Sequence, residues 1–275
     1  METVHMISSL KTKALAALCG IALAAGVTPA SALTIEFTIT NPAPTGGVTL
    51  TPLYLGLHNG AFDAFNAGEA ASPGVELLAE EGDFSMVAGE RLAVAPDSMG
   101  AALTAPGGFE GAPVIEPGES ASVTLRLDPT DNQYLNYLSM IIPSNDQFIG
   151  NDDPLQLFDD DGNFNGDQVI NIFGDDVWDA GTEVNDTLGA AFSLIGGEAT
   201  DEGGVITQGP GIDNFVGTPI PTGVLGDAAL GFGGNPDFAI ATIEITAVPI
   251  PATLPLIVGA FGLMGFAAHR RKAAA

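Results

Sequence analysis

Three widely separated stretches alternate apolar and polar residues with the period of two that marks a half-buried strand. Residues 34–40 put Ile35, Phe37 and Ile39 on one face, and residues 120–127 and 238–245 repeat the pattern. Four further runs, 48–58, 134–142, 168–173 and 190–195, are strand-like but less regular. Turn signals such as Glu116-Pro117-Gly118-Glu119 and Asp161-Gly162 separate these runs. One short helix is predicted over 74–81, stopped by Gly82. Residues 196–234 are rich in Gly, Pro and Thr and read as long loops, with one strand near Val205-Ile206-Thr207. Many short strands without a long helix predict an all-β protein, an antiparallel β-sandwich with long Gly/Asp-rich loops. A chain of this length can bury a sufficient core without disulfides.

The two ends do not belong to that fold. Lys11 and Lys13 precede an apolar stretch over 14–27, and Ala30-Ser31-Ala32 is a small-x-small cleavage site. Residues 1–32 therefore read as a secretory signal peptide, begun at Met1 or Met6, with a mature start near Leu33. Cys19 lies inside the apolar stretch behind Leu18 rather than a small residue, so it is a poor lipidation site. At the other end, residues 252–268 are 17 mostly apolar positions, at the short end of a membrane span. His269, Arg270, Arg271 and Lys272 follow at once and place that end in the cytoplasm.

Composition changes meaning once the ends are set aside. The whole chain carries 34 acids against 7 bases, a net charge of −27. Residues 33–248 hold 33 acids against two bases, Arg91 and Arg126, a net −31. A nucleic-acid binder needs a Lys/Arg face, which this chain lacks. That segment has no Lys, no Cys and one His, His58. Schiff-base, Cys–His and multi-His metal chemistry are thereby excluded. His58 precedes Asn59-Gly60 and reads as a turn-associated residue. No catalytic residue is assigned.

The acids are concentrated, with 12 and no base over residues 146–186. A solvated acidic face is the default for such a run, but carboxylates packed this densely repel one another unless a hard cation neutralises them. Asp161-Gly162-Asn163-Phe164-Asn165-Gly166 matches the first half of a calcium loop, D-x-N-x-N-G. Its twelfth position is Ile172 rather than Glu, so a polar hairpin turn is expected there instead of a metal site.

Two families are suggested by motifs in order. The tail, Val248-Pro249-Ile250-Pro251-Ala252, then a short span, then a basic cluster, resembles the PEP-CTERM sorting signals of Gram-negative bacteria in their VPLPA variant. That resemblance implies recognition by an exosortase over 249–275, cleavage near the motif and transient anchoring in the inner membrane. Within 33–248, Pro143-Ser144-Asn145-Asp146 follows an apolar strand, and Trp178-Asp179-Ala180-Gly181-Thr182-Glu183 follows 32 residues later. Upstream stand His58, Gly68-Glu69-Ala70-Ala71-Ser72, Gly74 and Ala79-Glu80-Glu81-Gly82-Asp83. This set resembles the spondin domain, which implies a C2-like β-sandwich with a calcium ion held by loops at one end. Carried over residue by residue, the calcium carboxylates are Asp146, Asp179 and Glu183. Gln147 departs from an aromatic often found there, which implies looser packing, and Glu183 replaces an Asp.

Together the expectation is an exported, non-enzymatic, calcium-binding module for cell-surface or matrix attachment. It would meet exopolysaccharide or matrix components, and the membrane only through its C-terminal segment. A carboxylate-based glycoside-acting enzyme and a passive matrix scaffold are the alternatives. One Trp and three Tyr are few for an aromatic platform on sugars.

Overall fold

The computed structural model describes residues 32–105, 113–209, 211–220, 228–229 and 239–249. The expected signal peptide over 1–32, apart from Ala32, lies outside the described residues, as does the sorting segment apart from Pro249. The strands are β1 (Leu33–Thr40), β2 (Thr49–Leu50), β3 (Leu53–His58), β4 (Met99–Leu103), β5 (Ser120–Leu127), β6 (Tyr134–Ile142), β7 (Gln147–Gly150) and β8 (Leu155–Gln156). They continue with β9 (Gln168–Phe173), β10 (Trp178–Asp179), β11 (Thr207–Gln208), β12 (Pro219–Ile220), β13 (Ala228–Ala229) and β14 (Ala239–Ala247). Two helices, α1 (Pro73–Glu81) and α2 (Ser85–Val94), lie between β3 and β4. Every pairing between these strands is antiparallel. The protein is mostly antiparallel sheet with few helices, as the all-β expectation required.

The strictly alternating runs, with the less regular β9 at one edge, form one sheet, in the order β5-β1-β14-β9. Alternation follows from its position. Ile35, Phe37 and Ile39 of β1, with Ile243 and Ile245 of β14, are fully buried. The opposite face is polar, and there Thr38 and Thr40 hydrogen-bond the hydroxyls of Ser122 and Ser120 at 2.8 Å. Only one face of this sheet meets the core, so only every second residue is apolar.

The irregular runs over 48–58 and 134–142 supply the middle of the second sheet, whose order is β11-β10-β7-β6-β3-β4, with β2 and β8 added to β6. Strand β3 is buried at all six positions and β6 at all but its first. One face of these strands, with Leu55, Leu57, Leu135 and Ile141, shares a core with the first sheet. Their other face, with Tyr54 and Leu138, packs under Val75 and Leu78 of α1, Val87 of α2, and Phe65. The protein therefore has three layers, sheet on sheet with a helical hairpin on top. Double burial replaces alternation by near-continuous apolarity, which is why these runs looked irregular.

Several expectations need correction. The run over 48–58 is broken at Thr51-Pro52 into β2 and β3, because Pro52 has no N–H for the ladder. The strand expected over 190–195 is a turn segment, closed by the Ser193 amide donating to Ala190 O at 3.1 Å. The strand near 205–207 is displaced to β11. Helix α1 is as expected, with Ser72 accepting from the Val75 amide and Gly82 at φ 70° donating to Leu78 O. Helix α2 went unpredicted. Its pattern is inverted, with Met86, Leu92 and Val94 exposed while Arg91 is buried, and Phe84 gives it no side-chain cap. His58 ends β3 fully buried, with Nδ1 accepting from the Gly60 amide at 3.0 Å and Nε2 bonding Asn136 Oδ1 at 2.9 Å.

Arg91 lies in a notch in the second sheet. Its Nε donates to Tyr54 Oη at 2.7 Å, and its Nη1 donates to Ser98 Oγ. Gly56 and Gly100 face each other across β3 and β4. A methyl on Gly100 would stand 2.8 Å from Arg91 Nη2, and one on Gly56 3.1 Å from its Cδ. The glycines thus leave the space the guanidinium fills. Gly100→Ala is expected to lower unfolding free energy by about 1–3 kcal/mol in urea denaturation. An unchanged midpoint would show that the notch is not needed.

Candidate functional site

The site is built where β6 turns into β7 and meets the loop after β10. The Ser144 hydroxyl donates to Ile141 O at 2.6 Å and accepts from the Gln147 amide at 3.1 Å, closing the turn that carries Asp146. Strand β10 pairs with β7 so that Asp179 stands opposite Gln147. Trp178 fixes that pairing. Its Nε1 donates to Gly150 O at 3.0 Å and its ring lies 5.2 Å from Phe65, edge-on. Gly181 has φ 69°, and a β-carbon there would stand 2.7 Å from the Val205 backbone. Trp178 and Gly181 therefore each have a geometric reason in this run.

Asp146 is the centre of this arrangement and is fully buried. Its Oδ2 accepts from the Thr182 amide at 2.8 Å, the Glu183 amide at 3.0 Å and Thr182 Oγ1 at 3.3 Å. Its Oδ1 is buried with no hydrogen-bond partner. Asp179 Oδ1 accepts from the Gly181 amide at 2.8 Å, while its Oδ2 accepts from Asn185 Nδ2. Asn185 Oδ1 in turn accepts from Gln147 Nε2 at 2.8 Å. Gln147 is thus fully buried and tied into the site, although its Oε1 has no partner. A polar link occupies the place where looser packing was expected.

Electrostatics mark the same place. Burial pushes the Asp146 carboxyl up from 3.8 to about 6, with the Asp179 charge adding to it and the loop amides opposing. Burial also pushes Glu183 up from 4.5 to about 7, helped by Glu80, Asp146 and Asp201. Glu80, on α1, is raised by burial and by the charges of Glu76, Asp146 and Glu81. Thr182, whose Oγ1 donates to Asp146 Oδ2 at 3.3 Å, lies beside Glu80 in one cleft and opposes that rise.

The fold therefore brings Asp146, Asp179 and Glu183 into one loop cluster. Among the described residues, no three His, Cys, Asp or Glu side chains stand as a ready metal-ligating group. The donor chemistry still fits a hard cation: carboxylate and amide oxygens, with Asp146 Oδ1 buried and unpartnered. Glu80, Asn145 and Asn185 belong to the cluster and were missed in the sequence. Asn145 accepts from the Asp186 amide at 3.2 Å and donates to Leu188 O at 3.0 Å. For Glu80 a signal existed. It sits in the last turn of a helix that has no base there, with Glu76 one turn before it, and both the helix end and the like-charge spacing disfavour an acid at position 80.

The half calcium loop at Asp161 is a hairpin turn. Phe158 bridges Phe164, and Asp159, not Asp161, organises it by accepting from the Asn163 amide at 2.8 Å.

The Spondin_N family model matches residues 41–193. The chain belongs to the Spondin_N family. The matched region contains Asp146, Asp179, Glu183 and Glu80, but not β1 and β14, the two central strands of the first sheet. Membership makes this a module of extracellular type. No curated protein matches the chain.

A pH test follows from the raised carboxyls. The folded Spondin_N domain binds protons between about pH 7 and pH 4 that the unfolded chain does not, so its stability rises as pH falls through that window. For Asp146 alone the difference corresponds to about 3 kcal/mol. In chelator, the melting temperature should rise from pH 8 to pH 5 (both about), and Asp146→Asn should flatten that slope. Equal slopes in the two proteins would refute the buried, raised carboxyl.

Proposed function

We propose that this Spondin_N protein is an exported, non-enzymatic module that binds calcium through Asp146, Asp179 and Glu183 and serves attachment at the cell surface or in extracellular matrix. The observation that carries this reading is Asp146 Oδ1, a buried carboxylate oxygen without a donor, beside further acids. A divalent ion supplies the positive charge that such a group lacks, and its chemistry here is neutralisation and loop ordering. Asp146 and Asp179 then act as ligands already aimed by the amides of residues 181–183. Glu183 contributes the longer arm, and backbone, amide and water oxygens complete the six to eight that calcium takes.

The tail motif supports a route to that location. Exosortase processing near Val248-Pro249-Ile250-Pro251-Ala252 follows transient anchoring of 252–268 in the inner membrane of a Gram-negative bacterium. Exopolysaccharide or matrix components are the partners this route supplies. The clefts beside the site favour attachment over glycoside chemistry, since Phe192 is the one aromatic in linings otherwise of Gly, Ala, Thr182 and acids, too few to stack on a sugar.

Calcium titration by calorimetry, with melting curves in calcium and in EDTA, tests the reading. A dissociation constant of about 10⁻⁴–10⁻³ M is expected. At tenfold that concentration, calcium adds about 1.4 kcal/mol of stability. Asp146→Ala and Asp179→Ala should abolish both signals. Absence of heat and of any shift in the unaltered protein would sink the calcium assignment, and turnover on a polysaccharide panel would sink the non-enzymatic one.

A further inference from the structure

Helix α1 carries more acid at its C-terminal end than its own stability can use. Glu80 and Glu81 occupy the last turn, where the partial negative charge of the helix end repels them, and no base is present there. Glu76 lies four residues before Glu80, a like-charge spacing that costs further stability. Neither arrangement has a cation to offset it, because the two bases among the described residues, Arg91 and Arg126, lie elsewhere. Arg91 is held by Tyr54 and Ser98, and Arg126 is on β5.

The position of Glu80 is nevertheless fixed. Gly74 of α1 takes a close approach of α2, its absent β-carbon standing 2.7 Å from the Val87 backbone. Glu90 of α2 accepts from the Gly74 amide and the Ser72 hydroxyl at 2.8 Å each, locking the hairpin. At the far end of α1, Glu80 and Thr182 line one cleft, and Thr182 Oγ1 donates to Asp146 Oδ2 at 3.3 Å. Thr182 thus connects the Glu80 cleft to Asp146, whose second oxygen is buried and unpartnered. Glu80 also lines both acidic clefts of this end. One, of about 300 Å³, is shared with Asp201 and Glu202, and the other, of about 390 Å³, with Glu183.

We propose that Glu80 is a fourth carboxylate of the cation site, so that the bound ion fastens the α1–α2 hairpin to the loop after β10. This rests on the calcium reading above and extends it from a loop site to a joint between layers. Loss of the ion releases α1 from residues 181–183 and opens the acidic clefts on either side of Glu80. The ion thereby sets the shape of the surface presented at this end of the module. The hairpin itself is held by Glu90 and by the apolar contacts of Val75, Leu78 and Val87, so its anchorage to β6 does not require the ion.

The test compares the full-length protein with Glu80→Gln, using calcium alone as the probe. Calorimetry should show affinity weakened about tenfold, in line with loss of one ligand charge. Hydrogen exchange should show calcium slowing the amides of 73–81 in the unaltered protein and not in Glu80→Gln. The variant's melting temperature in EDTA should equal or exceed the unaltered value, since a repelled charge is removed. Calcium binding by Glu80→Gln as tight as in the unaltered protein, with the same protection of α1, would overturn this proposal and leave the three-carboxylate site standing. No calcium binding by the unaltered protein would overturn both.

Discussion

The middle of the second sheet, β3 and β6, has no face left for water, and most of the architecture follows from that constraint. Strands β3 and β6 are covered by the first sheet on one side and need a cover on the other. The α1–α2 hairpin, inserted between β3 and β4, supplies it through Val75, Leu78 and Val87. Burying such apolar side chains is worth about 1.5–3 kcal/mol each. An insertion that does this can afford an inverted second helix and a buried arginine. The same cover brings Glu80 to the end of the sheet where Asp146 is buried, so a packing requirement also decides which acids meet.

At the site, one carboxylate organises two loops. Asp146 Oδ2 collects the amides of Thr182 and Glu183 and so fixes the path of the chain after β10. Burying a carboxylate without a counter-charge is costly, and the price appears as its raised pKa. A structural role for Asp146 explains the amides on Oδ2. It does not explain the unpartnered Oδ1, nor the crowding of Glu80 and Glu183 beside it. Those features are what a cation would relieve, and they give the acidic character of the whole chain a local focus.

Legibility in the sequence tracked solvent exposure. Strands β1 and β5 were visible because their outer faces remain wet and their residues alternate. Strand β6 was found as an apolar run, but its double burial was not, since periodicity vanishes when both faces are apolar. Helix α1 carried its own stop signal in Gly82, whereas α2 had no cap, and its exposed Met86, Leu92 and Val94 beside a buried Arg91 blurred its apolar face. Asp146, Asp179 and Glu183 were legible through short motifs whose residues make local turns. The unfavourable place of Glu80 at the end of a helix was visible, but not that it meets Asp146; nor was the link from Asn185 to Gln147, because both meetings join segments distant in sequence.

By itself the sequence determined the class of the protein, its excess of acid, its lack of cysteine and lysine chemistry, and the two motifs that carry the site. These are properties of composition and of neighbours along the chain, where alternation, capping and turn residues act. Tertiary structure decided that the sandwich has a third layer, that Arg91 fits a glycine notch, and that α1 delivers Glu80 to Asp146. Those outcomes depend on which surfaces close over one another, and that is settled by packing and by where a buried charge can find a partner.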